Sequence, residues 1–266
     1  MAKREWVSKK LLIALVIDLW ASAAYAYIPP SNFILTTWVA KHVHQKKLKT
    51  VSTVSAGEVK PGQSVHFKEI MVLTDGANFR SWALNDSEEV LFYQEKAVKD
   101  ASLPAQFLMS SSAPELARVL QKQGLPLLTG TESLESTTSE QESLVRANET
   151  VAWVIAEKPI QRRRPQVWFE KDTFLPLRLV YTREADSKVC DLKFDNYRRD
   201  FAFPRTIFLN ENDQGLSVKS QVTEITAYAS GPDKTPKVST PGWTAAGSAS
   251  SPELKNLIRS YYQNLR

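Results

Sequence analysis

The chain has 266 residues, of which 42% are hydrophobic, and its 34 Lys and Arg residues against 29 Asp and Glu residues give a formal net charge of +5. This near balance excludes the strongly basic character of a typical nucleic-acid-binding protein. The single cysteine, Cys190, excludes an intramolecular disulfide, so the stability of the fold has to come from packing.

The first 26 residues predict a secretory signal peptide. Lys3 and Arg4 begin a basic segment, residues 11–17 are apolar, and Ala24 and Ala26 form the small-residue pattern that a signal peptidase cleaves. We therefore predict cleavage after Ala26 and a function outside the cytoplasm. The alternative is a retained membrane anchor. The apolar run argues against it, because the run is shorter than the roughly 20 residues that span a bilayer.

The mature chain is predicted to begin with a helix and to continue into strands. Ser31 is a good N-cap, and the apolar residues after it have helical spacing, which predicts a helix over residues 32–44. After residue 50 the pattern becomes alternating, and turn residues such as Asp75-Gly76 separate the runs. Connections this short join antiparallel neighbours, so we predict strands over residues 51–55, 64–73, 78–84 and 89–97.

The middle of the chain predicts a helical insertion and then a second set of strands. Residues 104–109 and 114–123 have helical spacing, whereas residues 129–142 are rich in Ser, Thr and Glu and predict a mobile acidic loop. About ten strands split by helices predict an α+β, mainly β fold whose single antiparallel sheet is strongly curved or nearly closed. The second set of strands is predicted over residues 149–156, 166–170, 176–182, 188–196, 206–210 and 216–227.

The last part of the chain predicts a linker and a helix. Residues 231–250 contain many Pro, Thr, Ser, Gly and Ala residues, the composition of a flexible linker. Ser251 and Pro252 then begin a predicted amphipathic helix, whose apolar stripe has to cover either the sheet of the same molecule or a partner protein. The predicted segments are a signal peptide at 1–26, a sheet domain at 27–230, a linker at 231–250 and an amphipathic helix at 251–266.

No motif for catalysis or metal binding is found in the sequence. His42 and His44 lie two residues apart on the predicted helix and do not share a face, and His66 lies alone on a strand. A glycine-rich phosphate loop, a nucleophile elbow and a Cys/His pairing are all missing from the sequence. We therefore predict a protein that is not an enzyme, with no catalytic residue, no metal and no cofactor. The basic run at residues 162–164 fits either an anion site or a solvated turn.

Several strands are apolar on both faces, which an ordinary surface sheet is not. Residues 151–156 are the clearest example, since Trp153 and Ile155 alternate with Ala152 and Val154. One face can pack under helices, and the other needs a second layer or an apolar ligand. Core packing and a ligand-lined wall both remain open at this point. The candidate residues for an apolar cavity are Phe67, Met71, Phe79, Trp82, Phe92, Trp153, Ile155, Trp168, Leu177, Leu179, Leu192 and Phe194.

The stretch VWFEKDTFLPLR at residues 167–178 resembles a strand, turn and Leu-Pro strand hairpin of the LolA-like periplasmic lipoprotein carriers and outer membrane lipoprotein-sorting proteins. Residues 189–197 and the run Phe203-Pro204-Arg205-Thr206-Ile207 follow it in the same order as in that family. The order of elements over about residues 31–228 is similar as well: a first helix, a strand meander, a helical insertion and a second meander.

This resemblance implies an unclosed half-barrel whose concave face, covered by helices, shields acyl chains during transfer to the outer membrane. It also implies a bacterial periplasmic location, lipoprotein acyl chains or another lipid as ligand, and partners in an inner-membrane releasing complex and an outer-membrane receptor. Arg80, beside Phe79, is the candidate for the arginine that holds the helical lid in this family. The alternative is a half-barrel module that binds proteins in envelope stress sensing or envelope assembly.

Overall fold

A computed structural model describes residues 29–42, 47–57, 65–125, 127, 142–147, 150–156, 161, 163–183, 186–197, 202–211, 217–228, 235–238 and 240–266. The predicted signal peptide, its cleavage site and nearly all of the predicted acidic loop lie outside these residues. No helix within the described ranges has both the length and the hydropathy needed to cross a membrane.

The described strands form a single antiparallel sheet of twelve strands. Strands β1 and β11 pair in its middle, with Leu48 opposite Ala227, and so join the first meander to the second. The order across the sheet is β12-β4-β3-β2-β1-β11-β10-β9-β8-β7-β6-β5. The strands are β1 (Leu48–Gly57), β2 (His66–Thr74), β3 (Asn78–Leu84), β4 (Val90–Ala97), β5 (Glu142–Ala147), β6 (Thr150–Ala156), β7 (Gln166–Glu170), β8 (Pro176–Thr182), β9 (Val189–Asp195), β10 (Thr206–Glu211), β11 (Ser217–Ala227) and β12 (Gly242–Trp243).

The sheet is strongly curved and does not close on itself, and helices cover its concave face, so the predicted fold class is confirmed. Strands β12 and β5 are its two edges. The turn between β2 and β3 shows why the meander forms: Asp75 and Gly76 have φ angles of 53° and 70°, the left-handed conformation that tight hairpins require.

Five α-helices and one 3-10 turn are described. Ser102, Ser112 and Ser251 each accept a hydrogen bond from the backbone of the first helical turn, and each precedes a helix with proline at its start. These caps explain why the helices begin close to the predicted positions. The helices are α1 (Ser31–His42), α2 (Leu103–Met109), α3 (Ala113–Lys122), α4 (Ala245–Ala249) and α5 (Pro252–Leu265), and the 3-10 turn is Val98–Asp100.

We call the sheet face under the helices the inner face and the opposite one the outer face. Side chains alternate between them along each strand. On β2, Phe67 and Met71 belong to the large inner core, whereas Ile70 and Val72 belong to a small outer cluster. The inner core also contains buried residues of α1, α2, α3 and α5. The inner face is therefore the main hydrophobic core of the protein.

The structure differs from the sequence prediction in the predicted linker, residues 231–250. The part of it that the structure describes contains β12 and α4. Thr244 caps α4, and a Cβ at Gly247 would lie 1.9 Å from the Leu91 carbonyl oxygen. Only glycine allows helix α4 to lie this close to β4. The composition of residues 231–250 is typical of a flexible linker. Small residues also allow two backbones to pack closely, and that is what they do at α4.

The path of residues 235–266 takes the chain around one edge of the sheet. The Trp82 indole on the outer face donates a hydrogen bond to the Val238 carbonyl at 3.3 Å. The chain then pairs with β4 as the short strand β12, with Trp243 opposite Phe92. After α4 it enters the inner face as α5. Of the two partners open for α5 in the sequence, the sheet of the same molecule is the one observed.

Strand β5 is the second difference from the sequence prediction. It pairs along β6, with Val145 opposite Ala152. The sequence predicted a loop up to residue 142 and no strand before residue 149. A strand on the edge of a sheet is stabilised by the ladder of its neighbour. Such a strand does not need a strong alternating pattern of its own, and the sequence therefore did not predict it.

Candidate ligand site on the inner face of the sheet

The inner face of the sheet forms a largely apolar wall. Nine of the twelve predicted cavity residues lie on it, and they pack into one cluster with the covering helices. Phe92 is partly buried against the same cluster. The others are at most 5% exposed: Phe67, Met71, Phe79, Trp153, Ile155, Leu179, Leu192 and Phe194.

Helices α1 and α2 cover the half of this wall formed by β6 to β9. The Trp38 indole of α1 stacks on Phe107 of α2 at 6.2 Å and donates a hydrogen bond to the Phe107 carbonyl at 3.2 Å. The Phe107 ring in turn lies 5.9 Å from both Phe169 and Phe194 on the sheet. This half is held by apolar packing in which aromatic rings are prominent.

Helix α5 covers the half of the wall formed by β1 to β4. Tyr262 lies 6.4 Å from Phe67 and 4.8 Å from Phe92, and Tyr261 lies 5.4 Å from Phe67, all measured between ring centroids. Phe67 is completely buried as a result. In this conformation α5 occupies the space that a ligand on this half of the wall would need.

A buried carboxylate anchors α5 to the sheet. Glu69, on the inner face of β2, is 0% exposed and receives two hydrogen bonds from the Arg266 guanidinium, at 2.8 and 2.7 Å. The Tyr261 hydroxyl donates to it at 2.6 Å and the Ser81 hydroxyl at 2.7 Å. Tyr262 completes the group through a 3.0 Å contact with Ser81. We call these five residues the Glu69 cluster.

Burial dominates the electrostatics of the Glu69 cluster. It raises the pKa of Tyr261 and of Tyr262 well above the ordinary value, because ionised tyrosine is not solvated there. Burial alone would lower the pKa of Arg266, but the attraction of Glu69, its hydrogen bonds and the two neighbouring tyrosines together outweigh burial, so the pKa is raised. Arg266 is therefore a permanent cation at the centre of an apolar face.

The Glu69 cluster lies in a band of polar side chains that crosses four neighbouring strands. Ser52 on β1 is opposite Glu69, and Gln94 on β4 is opposite Ser81. Thr50 lies on the same face of β1. All are at most 6% exposed. The Thr50 and Ser52 hydroxyls and the Gln94 amide nitrogen make no hydrogen bond within the described part of the chain. We call these five residues, Thr50, Ser52, Glu69, Ser81 and Gln94, the polar band.

A second polar network holds the last turn of α5. Asn264 donates to Glu211 of β10 at 2.8 Å and accepts a hydrogen bond from Arg183, which also pairs with Glu211 and Asp186. The hydrogen bond from Arg183 lowers the pKa of Asp186 to about 2. The backbone NH at the N-cap of α2, on Ser102, donates to the Arg266 carbonyl at 3.2 Å. The end of α5 is therefore tied to both the sheet and α2.

The structure separates the remaining sequence candidates from this site. Trp82 lies on the outer face, stacked on Tyr93 at 5.2 Å, and Trp168 lies under Arg178 at 5.3 Å. Leu177 is only partly buried. Any ligand role for these three residues stays a prediction, and they do not share the inner wall cluster with the others.

Arg80, the candidate lid arginine, is on the outer face as well. It directly follows Phe79 on β3, so its side chain points away from the helices, and its guanidinium lies 5.8 Å from the Trp82 ring. Arg266, through Glu69, and Arg183, through Asn264, are arginines that tie α5 to the sheet in this structure. Sequence reasoning missed both Arg266 and Glu69. The available signal was a single acid within the otherwise apolar centre of β2.

Two surface grooves are described beside α2, with volumes of about 590 and 680 Å³. Both have charged residues at their rims, including Lys99 and Lys122 in each. None of the sequence candidates for the apolar cavity lines either of them.

Cys190 lies on the inner face beneath the second network. It is buried, and burial raises the pKa of its thiol. It belongs to the inner core cluster, as expected for a cysteine that packs as a small hydrophobic residue. No group of three metal-ligating side chains is found among the residues that the structure describes.

No protein-family model and no curated protein matches this chain. Solved structures are similar to it: a LolA superfamily protein from Nitrosomonas europaea is 9% identical with a TM-score of 0.46, and an outer membrane lipoprotein-sorting protein domain from Vibrio parahaemolyticus is 10% identical with a TM-score of 0.43. Each match covers 76% of this chain and 94% of the other. MucB is 12% identical over 81% of this chain and 66% of its own, with a TM-score of 0.30.

The first two proteins carry the name of the family that residues 167–178 resemble. All three TM-scores are below 0.5, so the fold assignment rests on the strands and helices described above.

Proposed function

We propose that this protein is a periplasmic carrier that binds lipid or lipoprotein acyl chains along the inner face of its sheet and shields them from water during transfer to the outer membrane. The observation that most supports this proposal is the kind of cover that lies on the apolar wall. It consists of separate helices and not of a second sheet. A helix can move away without breaking any hydrogen bond of the sheet.

The apolar wall supplies the driving force that such a function needs. Each buried methylene contributes about 0.8 kcal/mol, so a chain of about 14 methylenes left in water costs roughly 11 kcal/mol. In this structure the helices cover the apolar inner face, so a ligand has to displace part of this cover. It can do so only by binding the uncovered form better than the covered one.

Tryptophan quenching provides a direct test, because Trp153 and Trp168 lie on neighbouring strands but on opposite faces. The protein without residues 1–26 is mixed with a phospholipid that carries bromine on its acyl chains. We expect quenching that is clearly reduced in Trp153→Phe and unchanged in Trp168→Phe. Organic extraction of the purified protein should also yield acyl lipid. A preparation without lipid that is not quenched by the brominated chains would contradict the proposal.

A second candidate function is the binding of an amphipathic helix from another protein. The observation in its favour is α5 itself, which lies in the half-barrel in the way that a helix lies in a hydrophobic groove. In this case the helix of a partner protein would displace α5 from the inner face. The protein would then act in envelope stress sensing or envelope assembly. Isothermal titration with a synthetic peptide of residues 252–266 separates the two functions. Binding of the peptide without any binding of lipid favours the protein-binding module.

A further inference from the structure

The Glu69 cluster contains more than is needed to hold a helix on an apolar wall. Packing of Tyr262 against Phe67 and Phe92 already covers the apolar surface. The sheet nevertheless places a carboxylate at the centre of this surface, where it is 0% exposed. A buried carboxylate is tolerated only where a cation or several hydrogen-bond donors satisfy it. In this structure α5 supplies both, through Arg266 and Tyr261.

We propose that Glu69 is the polar anchor of the ligand site and that α5 occupies the site in place of an amphiphile with a long apolar part and a cationic group. This inference rests on the proposed function and specifies its ligand class. The cation is an ammonium or guanidinium group that replaces Arg266 on Glu69. The apolar part replaces the rings of Tyr261 and Tyr262 on the sheet.

The polar band supports this assignment independently of the ion pair. Thr50, Ser52 and Gln94 are at least nine-tenths buried, face the same side as Glu69, and have polar atoms without a partner in the described residues. An unpaired buried polar group costs free energy, and α5 does not satisfy these three. A ligand headgroup with several donors and acceptors would satisfy them together with Glu69.

Charge chemistry decides which amphiphiles can replace α5. When Arg266 leaves, Glu69 stays behind on an apolar wall. A neutral chain leaves this carboxylate unpaired, and a fatty acid adds a second negative charge beside it. An alkylammonium ion restores the pair. The observed affinity also includes the cost of displacing α5, so weakening the hold of α5 should strengthen binding of every ligand of the right class.

The test compares three ligands with the same twelve-carbon chain, dodecylammonium, dodecanol and dodecanoate, each titrated calorimetrically below its micelle concentration into the protein without residues 1–26. We expect dodecylammonium to bind roughly tenfold or more tightly than the other two. Glu69→Gln should remove this preference, and Arg266→Gln should strengthen dodecylammonium binding. Arg178→Gln is the matched control, because Arg178 pairs with Asp191 through two hydrogen bonds on the outer face, and it should behave as the wild type.

Cys190 reports whether α5 has moved. It is the only cysteine, it is buried, and it lies beneath the network around Asn264. Its rate of labelling by a thiol reagent should rise in Arg266→Gln and on addition of dodecylammonium to the wild type, but not in Arg178→Gln. Unchanged labelling in both cases would show that the ligand does not replace α5 and would overturn the inference.

The outcomes for the inference and for the proposed function are distinct. If all three ligands bind the wild type equally, or if the preference survives in Glu69→Gln, the inference is wrong and the carrier function stands. If none of the three binds, the carrier function fails and the inference fails with it. Should Glu69→Gln not fold, as judged by circular dichroism, the order of affinities in the wild type decides.

An amphiphile with a cationic group can come from two sources, a lipid with an ammonium group in its headgroup or an acylated protein with Lys or Arg beside its lipid. Lysophosphatidylethanolamine represents the first and a diacylated peptide with lysines the second. Their controls are lysophosphatidylglycerol and the same peptide with glutamates in place of the lysines. Binding of either ligand above its control supports the inference and identifies the source. Binding of neither above its control overturns it.

Discussion

The two halves of the inner face are covered in different ways. Over β6 to β9, Trp38 and Phe107 cover the wall by aromatic packing with the rings of Phe169 and Phe194. Over β1 to β4, α5 combines aromatic packing with the buried pair of Glu69 and Arg266. Apolar packing has little directional preference, so groups of similar shape can replace one another. The buried pair accepts only a cation or a set of donors. In the proposed carrier, the first half would provide volume for the ligand and the second would select its chemical class.

The first way to probe this comparison is Phe107→Ala. Phe107 is 0% exposed and contacts both α1 and the sheet, so its removal leaves a cavity that the surroundings fill only partly. We expect a loss of about 4 kcal/mol in the free energy of unfolding, measured by urea titration. Phe33→Ala on α1 is the control, since Phe33 is 51% exposed, and it should cost less than about 1 kcal/mol. A small effect of Phe107→Ala would mean that this half is loosely packed.

The second way is Glu69→Gln, which leaves Arg266 buried without its counter-charge. We expect a loss of about 3 kcal/mol in the free energy of unfolding, and recovery of most of it when Arg266→Met is added, because an apolar pair needs no charge compensation. Asp191→Asn is the control on the outer face. Its partner Arg178 is partly exposed, so the loss should stay near 1 kcal/mol. No recovery in the double variant would argue against a charge-specific role of Glu69.

The third and smallest effect is expected at alkaline pH. Burial raises the pKa of Tyr262 far above 10, so above pH 10 the unfolded chain loses this proton while the folded chain keeps it. Stability contributed by this group is present below pH 10 and falls as the pH rises, by about 1.4 kcal/mol per pH unit. Urea titrations at pH 7 and above pH 10 should show the fall. In Tyr262→Phe the free energy of unfolding should fall less steeply with pH, because one buried tyrosine no longer contributes. An unchanged slope would contradict the raised pKa of Tyr262.

Most of the fold was predictable from local pattern. The first helix, the two meanders and the helical insertion were predicted because alternation, helical spacing and turn residues such as Asp75-Gly76 are properties of neighbouring residues. The serine caps with proline at α2, α3 and α5 marked the starts of these helices in the same way. Strands β5 and β12 were missed because they exist through pairing with β6 and β4.

The candidate site was predictable only in part. The inner wall was found from strands that are apolar on both faces, but Trp82 and Trp168 were grouped with it although they lie on the outer face. Alternation shows which residues share a face of one strand. It does not show which face of that strand meets the helices.

The sequence by itself determined a mainly β fold with an apolar sheet and an amphipathic last helix, because these follow from residue spacing. Only the tertiary structure decided that α5 folds back around the β4 edge and covers the inner face. Glu69 and Arg266 are 197 residues apart in the chain. No local pattern relates two residues at this distance, and their pairing follows from the way the sheet and the helix fold onto each other.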